Sequence, residues 1–148
     1  MKLLVAIDLS DNTATVIAKA REFAEALAAK VWLVHVADPE PAFVGYDASP
    51  QYERDTVAEK FRKEHAALQA IANAWRAEGI DTTALLVQGT TVETLLKEAA
   101  DLQADMIIAG SHGKGAMRRL LMGSVSQGLL ENAECPILIV PVRPAQAS

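Results

Sequence analysis

Two glycine-rich turns in the last third of the chain have the composition of an anion cradle. The first, Gly110-Ser111-His112-Gly113, follows the apolar run Met106-Ile107-Ile108-Ala109. Such a short run, bounded by glycine, is expected to be a buried strand. The second, Gly123-Ser124-Val125-Ser126, opens a stretch with helical character. Glycines let backbone N–H groups approach a phosphate closely, and a helix N-terminus adds unpaired donors and positive dipole. A glycine loop at the carboxyl end of a strand is also where an open parallel sheet holds its ligand.

The spacing narrows the chemistry. Gly110 and Gly113 are separated by two residues, and nine more precede Gly123-Ser124. Two familiar phosphate motifs fail on this stretch. A P-loop would need Lys and Ser/Thr where Ala116 and Met117 stand. A dinucleotide fingerprint opening at Gly113 would need glycine where Arg118 stands. Lys114, Arg118 and Arg119, between the turns, either neutralise phosphate charge or form a solvated basic loop.

The elements that must position these turns follow from the apolar pattern. Leu3-Leu4-Val5-Ala6-Ile7 and Val31-Trp32-Leu33-Val34-His35-Val36 are continuous apolar runs without alternation, as in strands buried on both faces. Further strands are expected over 82–87, 105–109 and 137–140. Between them, helical periodicity appears at Val16, Ile17, Ala20, Phe23, Ala24 and Leu27. It recurs over residues 51–78, at Val92, Leu95, Leu96 and Ala99, and over 124–133. Ser10, Asp11 and Asn12 are placed to cap the first helix, and Thr90 with Glu93 fits a capping box for the third. Residues 38–50, rich in proline, are expected to form a long loop without regular structure. Strands and helices alternate throughout, which specifies an α/β doubly wound parallel sheet of five strands in one domain over residues 1–148.

The spaced glycine pattern is complete, and with the N-terminal strand ending in Asp8 and the order of elements it resembles the universal stress protein family in its ATP-binding branch. The resemblance covers essentially the whole chain. It implies the Rossmann-like strand order 3-2-1-4-5, which would put Asp8 beside Gly110. It implies that Gly110, Ser111, His112 and Gly113 form the first phosphate-and-ribose loop, and that Gly123, Ser124, Val125 and Ser126 make the second phosphate contact. Asp8 would contact the nucleoside, Val36 would lie against adenine, and Val87 and Gln88 are weaker candidates for the base pocket. Asp8 could also cap the first helix, and the two roles are compatible. Magnesium or manganese could arrive with the nucleotide, held by phosphates and Asp8.

Composition bounds the remaining classes. The net charge is −5, which argues against non-specific nucleic-acid binding. Half of the residues are hydrophobic and only 5% are aromatic, so the core must be aliphatic. A single cysteine, Cys135, excludes an internal disulfide and, beside the apolar run that follows it, is expected to be buried and inert. No run approaches the roughly 20 apolar residues of a membrane span, so a cytoplasmic protein is expected. His35, in an apolar strand, is expected to be a satisfied core histidine, and His65 to be solvated. The histidines do not cluster with other ligands as a zinc site requires.

The function the resemblance implies is that of an ATP-binding, stress-response regulatory protein. A slow ATP hydrolase or nucleotidyl-transfer enzyme on the same fold, or a nucleotide-free interaction module, are the alternatives. No Ser-His-Asp order is present and no carboxylate is evidently placed to activate water, which favours binding over catalysis. The strand Ile137–Val140, bounded by Pro136 and Pro141, is expected at a sheet edge, where it could pair a homodimer.

Overall fold

The computed structural model describes residues 1–37, 50–112 and 123–142, with the side chains of 50–55 excepted. The segment 38–49, which holds most of the expected loop, lies outside the described residues, as does 113–122 with Gly113, Lys114, Arg118 and Arg119. The elements run β1 (Lys2–Ala6), α1 (Thr13–Ala26), β2 (Lys30–Ala37), α2 (Pro50–Ala77), β3 (Thr82–Gln88), α3 (Thr91–Leu102), β4 (Met106–Gly110), α4 (Ser124–Asn132) and β5 (Ile137–Val140). All five strands are parallel, in the order β3-β2-β1-β4-β5.

The pleat sorts the apolar runs onto two faces. Leu3, Val5, Val31, Leu33 and Ile108 meet Val16, Ala20 and Ala24 of α1 and Leu68, Ala72 and Trp75 of α2. Leu4, Val34, Ile107 and Ala109 meet Leu95 and Ala99 of α3 and Leu129 of α4. Each fully buried leucine or isoleucine contributes about 1.5–3 kcal/mol of hydrophobic stabilisation relative to exposure. Burial on both faces is why these strands carry no polar alternation.

The helix ends differ in part from expectation. Asn12, the N-cap residue of α1, makes no side-chain cap. Ser10 does that work from outside the helix: its carbonyl accepts from the Thr13 N–H at 3.0 Å and its hydroxyl from the Asn12 N–H at 3.2 Å. The capping box of α3 does not form. Thr90 is the N-cap residue in extended conformation, but its side chain makes no cap hydrogen bond. Its carbonyl accepts from the Thr94 N–H at 2.9 Å, and Glu93 still places negative charge in the first turn. α2 ends as its glycine suggests. Gly79 has φ +89°, and the Ile80 N–H returns to the Trp75 carbonyl at 3.0 Å.

β1 and β4 lie side by side, with Leu3, Leu4 and Val5 in register with Met106, Ile107 and Ile108. From β1 the sheet grows one way through β2 to β3, and from β4 the other way to β5. The carboxyl ends of β1 and β4 therefore flank the switch point where a crevice opens. Among the described residues, no helix is long and apolar enough to cross a membrane.

Candidate functional site

A cavity of about 550 Å³ lies over that switch point. This is within the size range of small-molecule sites. Its described walls come from the exit of β1 (Ile7, Asp8, Leu9), the start of α1 (Asn12, Thr13, Val16), the end of β2 (Val34, His35, Val36) and α2 (Lys60, Glu64). The opposite side is formed by Thr91 and Leu95 of α3, Ala109 and Gly110 at the end of β4, His112 after it, and Gly123 to Ser126 at α4.

The β1 exit is a tight turn. Leu9 adopts φ +58°, a left-handed conformation costly for a branched side chain. It swings the chain so that Asp8 Oδ1 accepts from the Ser10 N–H at 3.0 Å, the Ser10 hydroxyl at 2.7 Å and the Thr13 hydroxyl at 3.3 Å. Asp8 therefore organises the approach to α1 through one oxygen. Its other oxygen makes no hydrogen bond among the described residues.

The two glycine turns are joined directly. The Gly123 N–H donates to the Ser111 carbonyl at 2.6 Å. The buried Ser126 hydroxyl lies 2.9 Å from the same carbonyl and 3.1 Å from that of Gly123. The first intrahelical bond of α4 runs from the Gln127 N–H to the Gly123 carbonyl at 3.0 Å. The N–H groups of Ser124, Val125 and Ser126 thus have no acceptor within the helix. Close packing explains the glycine at 110. A Cβ there would stand 3.1 Å from Val16 Cγ2 and 3.3 Å from the His112 carbonyl oxygen.

Of the residues singled out from sequence, Asp8, Val36, Gly110, His112, Gly123, Ser124, Val125 and Ser126 all line this one cavity. Gly113 lies outside the described residues. Ser111 is turned away: its hydroxyl accepts from the Val142 N–H at 3.0 Å and lies 3.3 Å from the Val142 carbonyl, so it ties the loop to the end of β5. Val87 and Gln88 do not line the cavity. His65 is exposed on α2, as expected.

Three contributors carried no sequence signal. Lys60 and Glu64 sit on a long amphipathic helix whose rotation against the sheet periodicity alone does not fix. His35 is buried with both ring nitrogens partnered, as expected, yet it also lines the cavity. Among the described residues, no group of three His, Cys, Asp or Glu side chains could hold a metal. Cys135 lies away from the cavity, half-buried rather than fully buried, and burial pushes its thiol up, towards lower reactivity.

The universal stress protein family matches residues 1–141, nearly the whole chain. The chain belongs to that family. The universal stress protein in the QAH/OAS sulfhydrylase 3'region of Thermus aquaticus is 35% identical over 143 residues, covering 93% of this chain and 96% of that protein. Among solved structures, the hypothetical protein MJ0577 of Methanocaldococcus jannaschii shares the fold with a TM-score of 0.82, covering 97% of both chains at 24% identity. A universal stress protein family member from Arabidopsis thaliana, solved with AMP bound, shares it with a TM-score of 0.63 at 21% identity, covering 98% of this chain and 93% of that one.

Proposed function

We propose that this universal stress protein binds ATP in the cavity between β1 and β4 and acts as a nucleotide-dependent regulatory module. The observation that carries the reading is the junction of the two glycine turns. Gly123 N–H and the Ser126 hydroxyl both engage the Ser111 carbonyl, leaving the first-turn N–H groups of α4 at the cavity wall beside Gly110 and His112. Those donors suit a phosphate. Hydrogen bonds to a charged phosphate contribute about 1.5–3 kcal/mol each, so a few suffice for micromolar affinity without a dedicated lysine.

At the other end, Asp8 has an oxygen left to accept a nucleoside hydroxyl, and Val36 offers apolar surface to the base. The AMP found in the Arabidopsis protein supports an adenine nucleotide as the ligand class. A divalent cation would enter on the phosphates, which supply its hard oxygen donors. Regulation rather than turnover is favoured because the donors face phosphate and the described carboxylates of the cavity are engaged elsewhere, Asp8 with Ser10 and Thr13 and Glu64 with His35.

A homodimer through β5 belongs to the same proposal. Among the described residues β5 pairs only with β4, leaving its outer edge open. Sedimentation at high micromolar concentration should give a dimer, and a monomer there contradicts the contact. For the site itself, a ligand bound only by the folded state raises the unfolding temperature. Millimolar ATP with magnesium should do so, and an unchanged transition counts against the reading.

A further inference from the structure

Among the described residues, His35 is the only buried titratable side chain, 6% exposed. Its Nδ1 lies 2.8 Å from the carbonyl oxygen of Ile7. A carbonyl oxygen carries no proton, so Nδ1–H is the donor. On the other side of the ring, Nε2 is in hydrogen-bond contact with Glu64 Oε2. With Nδ1 already protonated, a neutral ring presents a lone pair at Nε2, and an ionised carboxylate presents another. Two lone pairs do not bond. A bond between these two atoms therefore takes one further proton, as imidazolium with carboxylate or as imidazole with carboxylic acid; the proton count is the same in both.

The connection has a direction. Glu64 on α2 holds His35 on β2, His35 holds the Ile7 carbonyl at the β1 exit, and the next residue is Asp8. All four line the cavity. The turn they support passes through the left-handed Leu9, so its position depends on outside restraint. The charged or titratable groups bordering this part of the cavity are Asp8 from the β1 exit, Lys60 and Glu64 from α2, and His112 after β4. α1 presents the uncharged Asn12, Thr13 and Val16, and β3 places Leu86 opposite His35 in register.

We infer that His35 and Glu64 are positioning residues, a proton-loaded brace that sets Asp8 for the nucleoside, so that nucleotide binding depends on the shared proton. This rests on the cavity being the nucleotide site. The sign follows from the lone-pair argument. Losing that proton at high pH leaves the neutral ring one N–H for two acceptors, so either the Glu64 or the Ile7 contact is lost and the β1 exit is freed. Adding a second proton at low pH leaves Nε2–H a donor to the acid's carbonyl oxygen, so the bridge survives. Affinity therefore falls as pH rises.

The test is calorimetric titration of ATP into the full chain from about pH 6 to about pH 9. Wild type is compared with Glu64→Gln. The glutamine amide donates to Nε2 while Nδ1–H stays on Ile7, so this variant keeps the bridge without the titrating proton. Titration of the ligand itself affects both proteins equally. Wild-type affinity should fall relative to the variant by up to about tenfold per pH unit once the pair is stripped. Parallel profiles overturn the inference. Nitrogen NMR of the His35 ring in the nucleotide-free protein gives an independent readout: Nδ1 should be protonated, and an unprotonated Nδ1 overturns the brace whatever ATP does. Absence of ATP binding by both proteins at every pH overturns the nucleotide reading and with it the binding half of the inference, while the ring resonances decide the brace separately.

Discussion

The backbone N–H of Gly123 donates to the Ser111 carbonyl at 2.6 Å, so the start of α4 is fastened to the loop leaving β4. Ser111 is fastened in turn to β5, its N–H donating to the Val140 carbonyl at 2.9 Å. Two turns separated by a long connection thus behave as one rigid wall. An anion site built on backbone donors needs that rigidity, because the donors cannot be re-aimed by side-chain rotation.

Ser126→Ala tests the fastening. The hydroxyl is buried and bonds to two carbonyls, yet each keeps a backbone partner, Gly123 N–H for Ser111 and Gln127 N–H for Gly123. Neither is orphaned, so the cost should be about 1 kcal/mol of stability. Chemical denaturation should show a small loss, with a larger proportional loss in ATP affinity.

Asp8→Asn separates the two roles of that residue. An amide oxygen still accepts from Ser10 and Thr13, so the turn before α1 should persist and the unfolding free energy change by under about 1 kcal/mol. Removing the charge should lower ATP affinity about tenfold or more. Asp8→Ala should lose affinity and also loosen the start of α1, seen as a lower thermal midpoint.

Gly110→Ala places a methyl group 3.1 Å from Val16 Cγ2 and 3.3 Å from the His112 carbonyl oxygen. The valine can yield, but the backbone carbonyl moves only with the loop. Overpacking of this kind costs about 1–3 kcal/mol. Displacement of His112 at the cavity wall should weaken ATP binding in a titration by more than the denaturation midpoint suggests.

The order of elements and the apolar faces were legible in the sequence, because strands buried on both sides leave uninterrupted runs such as Leu3 to Ile7. The family resemblance placed Asp8 beside Gly110 through the strand order, and β1–β4 pairing puts their strands in register. What was not legible depends on distances across the fold. Ser111 belongs to the glycine turn by sequence, but its hydroxyl is taken by Val142, thirty-one residues on. Glu64 reaches the site because α2 lies across the sheet with that face inward, and one amphipathic stripe does not specify which polar residues flank the ligand crevice. Thr90 and Glu93 have the spacing of a capping box, yet the side-chain bond is not made. Spacing permits such a bond without enforcing it.

Cys135 gives a pH dependence of known sign. Burial raises its thiol in the folded state above the unfolded value of about 8.5. The folded protein then holds a proton that the unfolded chain releases, so this contribution is complete below the unfolded value and is lost as pH rises through the folded one. Stability should decline more steeply above about pH 8.5 in wild type than in Cys135→Ala. Alkylation by iodoacetamide near neutral pH should be slow compared with an exposed thiol, and equal rates would contradict the burial effect.

The most direct measurement is calorimetric titration of ATP with magnesium into protein stripped of nucleotide. One ATP should bind per chain with a dissociation constant near micromolar, about 8 kcal/mol of binding free energy. No heat at millimolar ATP, from protein that is folded by circular dichroism, would contradict the assignment of the β1–β4 cavity as a nucleotide site.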